Sequence, residues 1–105
     1  MAERLDYSGF DQKVLGGKGL FLVDFYSDSC VPCKRMSPVL AELEEKYGDN
    51  LQVVKVNIAY ETDLVEKYQV TAVPTLCLFK DGVEIERRAG VQKKADLEKI
   101  IEENK

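Results

Sequence analysis

The sequence predicts an α/β fold, with a central mixed sheet of four to five strands flanked by four helices. Three observations carry this expectation. Two apolar runs, at 20–26 and 51–58, read as strands covered on both faces. Apolar residues at helical spacing lie between and after them. Asp81-Gly82, the strongest short hairpin signal in the chain, joins two further strand-like segments.

Bulk properties set the frame. The 105 residues suit one domain spanning 1–105 and suffice for a core without disulfide staples. Charges are plentiful and mixed, with a net charge of −4. That argues against a nucleic-acid binder, which normally shows a basic face. No apolar run approaches the roughly 18 residues of a membrane span, and Met1-Ala2-Glu3-Arg4-Leu5-Asp6 lacks a signal-peptide core. The expectation is a cytoplasmic, monomeric protein, in a reducing compartment where paired cysteines point to redox or metal chemistry. Histidine is absent, which excludes the usual Ser-His-Asp and Cys-His hydrolases and any His-ligated metal.

Taken in order, Ser8 is expected to cap a short helix through Leu15, with Phe10, Val14 and Leu15 inward. Gly16-Gly17-Lys18-Gly19 breaks the chain as a turn, since it lacks P-loop spacing and no Ser or Thr follows the lysine. Leu20 to Tyr26 is a central strand. A helix runs from Val31 to Tyr47, with Met36, Val39, Leu40, Leu43 and Tyr47 recurring on one face. Pro38 removes a donor inside it and is expected to kink it. Gly48-Asp49-Asn50 ends it. The β-branched Val53, Val54, Val56 and Ile58 mark Leu51 to Ile58 as a strand. Thr62 to Tyr68 reads as a short helix, and Thr75 to Lys80 and Val83 to Arg88 as the hairpin strands. A final helix from Lys93 to Glu103 buries Leu97, Ile100 and Ile101. The early strands need helical crossovers and pair in parallel, whereas the last two are antiparallel. A weak signal near Leu5 allows one more strand.

The chemistry centres on Cys30-Val31-Pro32-Cys33, directly after the 20–26 strand. Cys30 falls at the first turn of the long helix, where free N–H groups and the helix dipole stabilise a thiolate. Cys33 lies almost one turn on, on the same face, within reach of a disulfide at Cys30. Pro32 costs little at an early helical position. Asp24 sits in a strand that otherwise reads as core; it either serves the cysteine chemistry or caps the strand end. Cys77 alternates with Thr75 and Phe79 on a covered strand and reads as a buried, inert thiol. The minority reading is a regulatory thiol.

These residues together resemble thioredoxins over nearly the whole chain. Asp24-Phe25-Tyr26, Lys34, Pro38, Lys55-Val56-Asn57, Val73-Pro74-Thr75, Phe79-Lys80-Asp81-Gly82 and Gly90 all stand where that family has them. A lone C-x-x-C is weak, but the pair followed some 40 residues later by Val-Pro-Thr and then a Phe-Lys-Asp-Gly hairpin is specific. The resemblance implies a thioredoxin fold and dithiol–disulfide oxidoreductase activity toward proteins. It implies Cys30 as the exposed attacking nucleophile and Cys33 as the more buried resolving thiol. It also implies Asp24 as a general base near Cys33, with Lys55 as its charge partner. Val73-Pro74 would be a cis bond whose backbone pairs with an extended substrate, a trans turn being the alternative. Ser29, Val31, Pro32, Val73, Pro74 and Gly90 would form the substrate-binding surface. No cofactor and no metal is called for. The implied partners are disulfide-containing proteins and a thioredoxin-reductase-type electron donor.

The chain departs from the family pattern at Ser29 and Tyr26, where tryptophans are usual, at Val31 in place of glycine, and at Ala59 in place of aspartate. A smaller, more polar substrate surface follows. Oxidase or isomerase relatives usually carry a histidine between the cysteines, so Val31-Pro32 argues against that activity, and the layout fits a glutaredoxin less well. A structural zinc site would need two chains sharing both pairs. A redox-silent interaction module is disfavoured by the retention of Cys30, Cys33, Asp24 and Val73-Pro74.

Overall fold

The computed structural model describes residues 3–105. The strands are β1 (Glu3–Arg4), β2 (Leu20–Tyr26), β3 (Leu51–Asn57), β4 (Thr75–Lys80) and β5 (Val83–Ala89), and the helices α1 (Tyr7–Phe10), α2 (Val31–Tyr47), α3 (Thr62–Lys67) and α4 (Lys94–Asn104). They form a five-stranded sheet in the order β1-β3-β2-β4-β5. β1 and β2 pair parallel to β3, while β4 runs antiparallel to β2 and β5 to β4. This is the mixed sheet with four helices expected of the thioredoxin fold.

The central position of β2 explains its composition, because all seven of its residues are buried. Alternate side chains serve two cores. Leu20 and Leu22 pack with Val53, Leu76 and Leu78 beneath α2 and α4. Phe21, Val23 and Phe25 pack on the opposite face with Phe10, Val54, Val56, Leu64 and Phe79. By the same alternation Asp24 and Tyr26 face α2, at the end of the strand where the first core runs out. Asp24 is the only acidic or basic residue in the strand.

The hairpin turn forms as predicted. Asp81 and Gly82 both take positive φ, at 51° and 85°, the two left-handed positions that this turn type requires. Pro38 is accommodated within α2, which continues to Tyr47, and Gly48–Asn50 follows as a 3-10 turn. The weak signal before Leu5 is a true edge strand, Glu3–Arg4, in register with Val54 and Lys55.

The first helix differs from expectation. Its cap is Asp6, not Ser8, and the Asp6 carboxylate accepts from the Gly9 amide at 2.7 Å. The Leu5 amide still donates to the Lys55 carbonyl, so the chain leaves the sheet at Leu5 and the helix must start at once. After four residues it widens to a π-helix over Asp11–Leu15, closed by the Gly16 amide on the Asp11 carbonyl. Phe10 and Val14 are inward as predicted. Elsewhere the elements differ from prediction by a residue at an end: β3 stops at Asn57, α3 at Lys67, β5 extends to Ala89, and α4 covers Lys94–Asn104.

Candidate active site

Cys30 is the N-cap of α2, with extended backbone before the first helical residue, Val31. A short turn delivers it there. The Cys30 amide donates to the Ser27 carbonyl, and the Ser29 amide to the Ser27 hydroxyl. Asn57, at the end of β3, donates to the Asp28 carboxylate at 3.2 Å and accepts from the Ala59 amide at 2.9 Å. This side chain ties the turn before the cysteines to the sheet. Asn57 appears in the sequence only as part of a motif; a buried amide at a strand end is the signal that would have found it.

Cys30 and Cys33 are joined as a disulfide, with Cα atoms 5.2 Å apart. The Cys33 amide donates to Cys30 Sγ at 3.0 Å. In the reduced protein that N–H and the α2 dipole would face a Cys30 thiolate, which stabilises the charged sulfur. Cys33 is 4% exposed and Cys30 8%, so the resolving thiol is the deeper one but the nucleophile is itself nearly covered. The expectation of an exposed Cys30 is corrected to that extent. Tyr26 is buried in one cluster with the two cysteines, and Val73 packs against it.

Asp24 is 1% exposed, and its Oδ1 accepts no hydrogen bond from the described residues. Burial pushes its pKa from 3.8 up to about 6, and the nearby Lys55 charge pulls against that rise. Asp24 and Lys55 are register partners on β2 and β3. Both line a cavity of about 120 Å³ together with Cys33, Ser37, Tyr26 and Arg4. The carboxyl thus lines the same small, partly open pocket as the resolving cysteine. The Lys55 ammonium stands 4.5 Å from the Tyr26 ring centroid and the Arg4 guanidinium 5.8 Å from it. This pairing of cations with Tyr26 depends on β3 lying between β1 and β2, which the sequence does not show locally.

The Val73–Pro74 bond is cis. The Gly90 amide donates to the Pro74 carbonyl at 2.7 Å, and the Thr75 hydroxyl to the Ala72 carbonyl at 2.6 Å. The adjoining Val73 backbone makes no hydrogen bond to the described residues. Val31 is 58% exposed beside the disulfide, and Ser29 and Pro32 are exposed as well. The predicted site residues Asp24, Lys55 and Val73 therefore gather around Cys30 and Cys33, with Gly90 attached through Pro74. Cys77 is fully buried in the second core and takes no part. Among the described residues no group of three or more His, Cys, Asp or Glu is placed to hold a metal ion.

A dithiol that closes to a disulfide at a helix N-cap, with a buried carboxyl behind the second sulfur, defines a thiol–disulfide oxidoreductase. Comparison with known proteins agrees. The thioredoxin family profile matches residues 2–103. The chain is 39% identical over 97 residues to the thioredoxin of Pseudomonas aeruginosa, which covers 92% of this chain and 90% of that protein. It is 37% identical over 84 residues to the thioredoxin of Bacillus subtilis, covering 80% and 81%. It is 39% identical over 89 residues to chloroplastic thioredoxin Y of Oryza sativa subsp. japonica, covering 85% of this chain but only 53% of the rice protein. The chain belongs to the thioredoxin family, and it is a protein-disulfide oxidoreductase working through Cys30 and Cys33.

Proposed function

We propose that the protein reduces disulfides of other proteins, with each site residue in a distinct role. The observation that carries this reading is the cavity shared by Asp24, Lys55 and Cys33 behind the Cys30–Cys33 pair. The Cys30 thiolate attacks a substrate disulfide; one S–S bond forms as another breaks, and the first substrate sulfur leaves as a thiolate that takes a proton from water. Cys33 then gives its proton to Asp24 and attacks Cys30 Sγ. The second substrate sulfur leaves and is protonated in turn. The two electrons that reduce the substrate come from the Cys30–Cys33 dithiol, which closes to a disulfide. Lys55 holds Asp24 closer to ionised, ready to accept that proton.

Ser29, Val31, Pro32, Val73, Pro74 and Gly90 form the substrate-binding surface. The free Val73 backbone supports this role, since an extended segment can pair with it as a short added strand. A separate thioredoxin-reductase-type enzyme returns the disulfide to dithiol. The protein acts as a single domain and a monomer in the cytoplasm. Reduction of insulin with dithiothreitol tests the reading: wild type should catalyse it, Cys30→Ser should run near background, and Cys33→Ser should accumulate mixed disulfides. Equal rates in all three would overturn it.

A further inference from the structure

The ledge formed by Val73, Pro74 and Gly90 is built on the sheet, apart from the helix that carries the cysteines. Thr75 and Ala89 are register partners at the ends of β4 and β5. The Gly90 amide extends that pairing by one bond, to the Pro74 carbonyl at 2.7 Å. Val73 packs against the cysteine cluster, but apolar packing has no preferred direction. A directed link to α2 comes from Gln92, a half-buried residue two positions past Gly90. Its backbone amide donates to the Met36 sulfur at 3.3 Å. Met36 is fully buried and lies three residues after Cys33, on the same inward face of α2. The Gln92 side chain turns back toward β5. Its Nε2 donates to the Ala89 carbonyl at 3.1 Å and to the Gly90 carbonyl at 3.4 Å. Gly90 has φ 85°, so the chain bends in a left-handed conformation there, and the side-chain amide closes the bend. One residue thus fastens the end of β5, the turn at Gly90 and the helix behind the cysteines.

From this arrangement we infer that Gln92 is a positioning residue for disulfide reduction: it sets the spacing between the Val73–Pro74–Gly90 ledge and the N-terminus of α2. An extended substrate on that ledge presents its sulfur to Cys30 only when the spacing is right, and small misplacements of reacting groups cost rate steeply. A substrate too short to use the ledge is indifferent to where the ledge stands. Hydrogen bonds suit the task because they fix direction as well as distance. The thioether of Met36 accepts the Gln92 amide while still filling the core as an apolar side chain. The inference rests on the proposed reducing role and on the substrate surface assigned with it, and adds what holds that surface in place.

The test uses the full chain, reduced beforehand, and two substrates with the same reacting bond. One is an extended synthetic peptide whose single cysteine is disulfide-linked to free cysteine; the other is cystine. The second-order rate of thiol release is measured by acid quench and chromatography, with insulin as a third substrate. Gln92→Met keeps the length of the side chain and removes its donor. It should react about tenfold more slowly with the peptide, and less than about twofold more slowly with cystine. Met36→Leu nearly conserves core volume but removes the sulfur acceptor, and should show the same selective loss. Because the readout is a ratio, a general loosening of the fold or a change in Cys30 reactivity acts on both substrates and cancels. Should one variant fail to fold, the other decides. An unchanged ratio in either folded variant, or a greater loss with cystine, would overturn the inference while leaving disulfide reduction intact. Failure of the wild type with the peptide, cystine and insulin would overturn the reducing role itself.

Discussion

Lys55 and Asp24 are register partners on adjacent parallel strands, but the Lys55 ammonium rests 4.5 Å from the Tyr26 ring centroid and forms no hydrogen-bonded ion pair with the carboxylate. The charge that opposes the effect of burial on Asp24 therefore acts at a distance. The carboxyl is left titrating near neutral pH, where it can take and return a proton.

Removal of that carboxylate should stabilise the fold. The pKa of Asp24 lies at about 6 in the folded protein against 3.8 ordinarily. Between those values the folded state holds a proton that the unfolded state has released, so Asp24 costs stability progressively as pH rises through the window. The full cost is present above about pH 6 and amounts to about 3 kcal/mol. Asp24→Asn should raise stability toward urea at pH 7.5 by an amount of this order. The pH-dependent part of the gain should vanish below about pH 4. Resolution of the mixed disulfide by Cys33 should slow in the same variant.

Lys55→Gln should move the pH profile of that resolution upward. Loss of the nearby positive charge leaves burial unopposed, so Asp24 ionises only above about pH 6. The midpoint can be read from single-turnover rates or from the carboxyl carbon shift of Asp24. An unchanged midpoint would show that Lys55 does not act on this carboxyl.

Cys77 should resist alkylation in the native reduced protein. It is fully buried in the second core, and burial pushes its pKa up to about 12. Iodoacetamide at pH 8 should label Cys30 in the native protein and reach Cys77 only after denaturant is added. Peptide mass mapping distinguishes the two.

Gly82→Ala should destabilise the hairpin by about 2 kcal/mol or more. Gly82 has φ 85°, and a Cβ there would lie 2.4 Å from the Leu15 carbonyl oxygen. The backbone at the end of the π-helix blocks that space, and it cannot swing aside as a side chain would. Thermal unfolding of the variant gives the measurement; an unchanged melting temperature would contradict the packing described.

Much of the fold was legible because local and long-range preferences agree in it. The run from Leu20 to Tyr26 reads as a strand covered on both faces, and it is one. Asp81-Gly82 demands a two-residue turn, and both residues take positive φ. Where the sequence misled, two residues of similar chemistry competed. Asp6 and Ser8 are both good caps, and the choice was made by the pairing of β1 and Leu5 with β3, a contact across some 50 residues. Nothing local signals the π-helix after Phe10. In the site, the cysteines, Asp24 and Val73-Pro74 stand out from their neighbours by chemical type. Lys55 is marked as Asp24's charge partner only by the family resemblance, and Asn57 and Arg4 do not stand out, since polar and basic residues are common on any surface and only the strand order brings them to the cysteines.

The shallow recess of Cys30 has a consequence for the state of its partners. A thiolate displaces along the axis of the bond it breaks, so the incoming disulfide must bring that axis onto a sulfur whose residue is only 8% exposed. A bond locked inside a rigid globule cannot take up that alignment. One on a protruding loop, a hinge or a locally melted strand can. The mobility of a disulfide, as well as its potential, is therefore expected to set how fast Cys30 reacts with it.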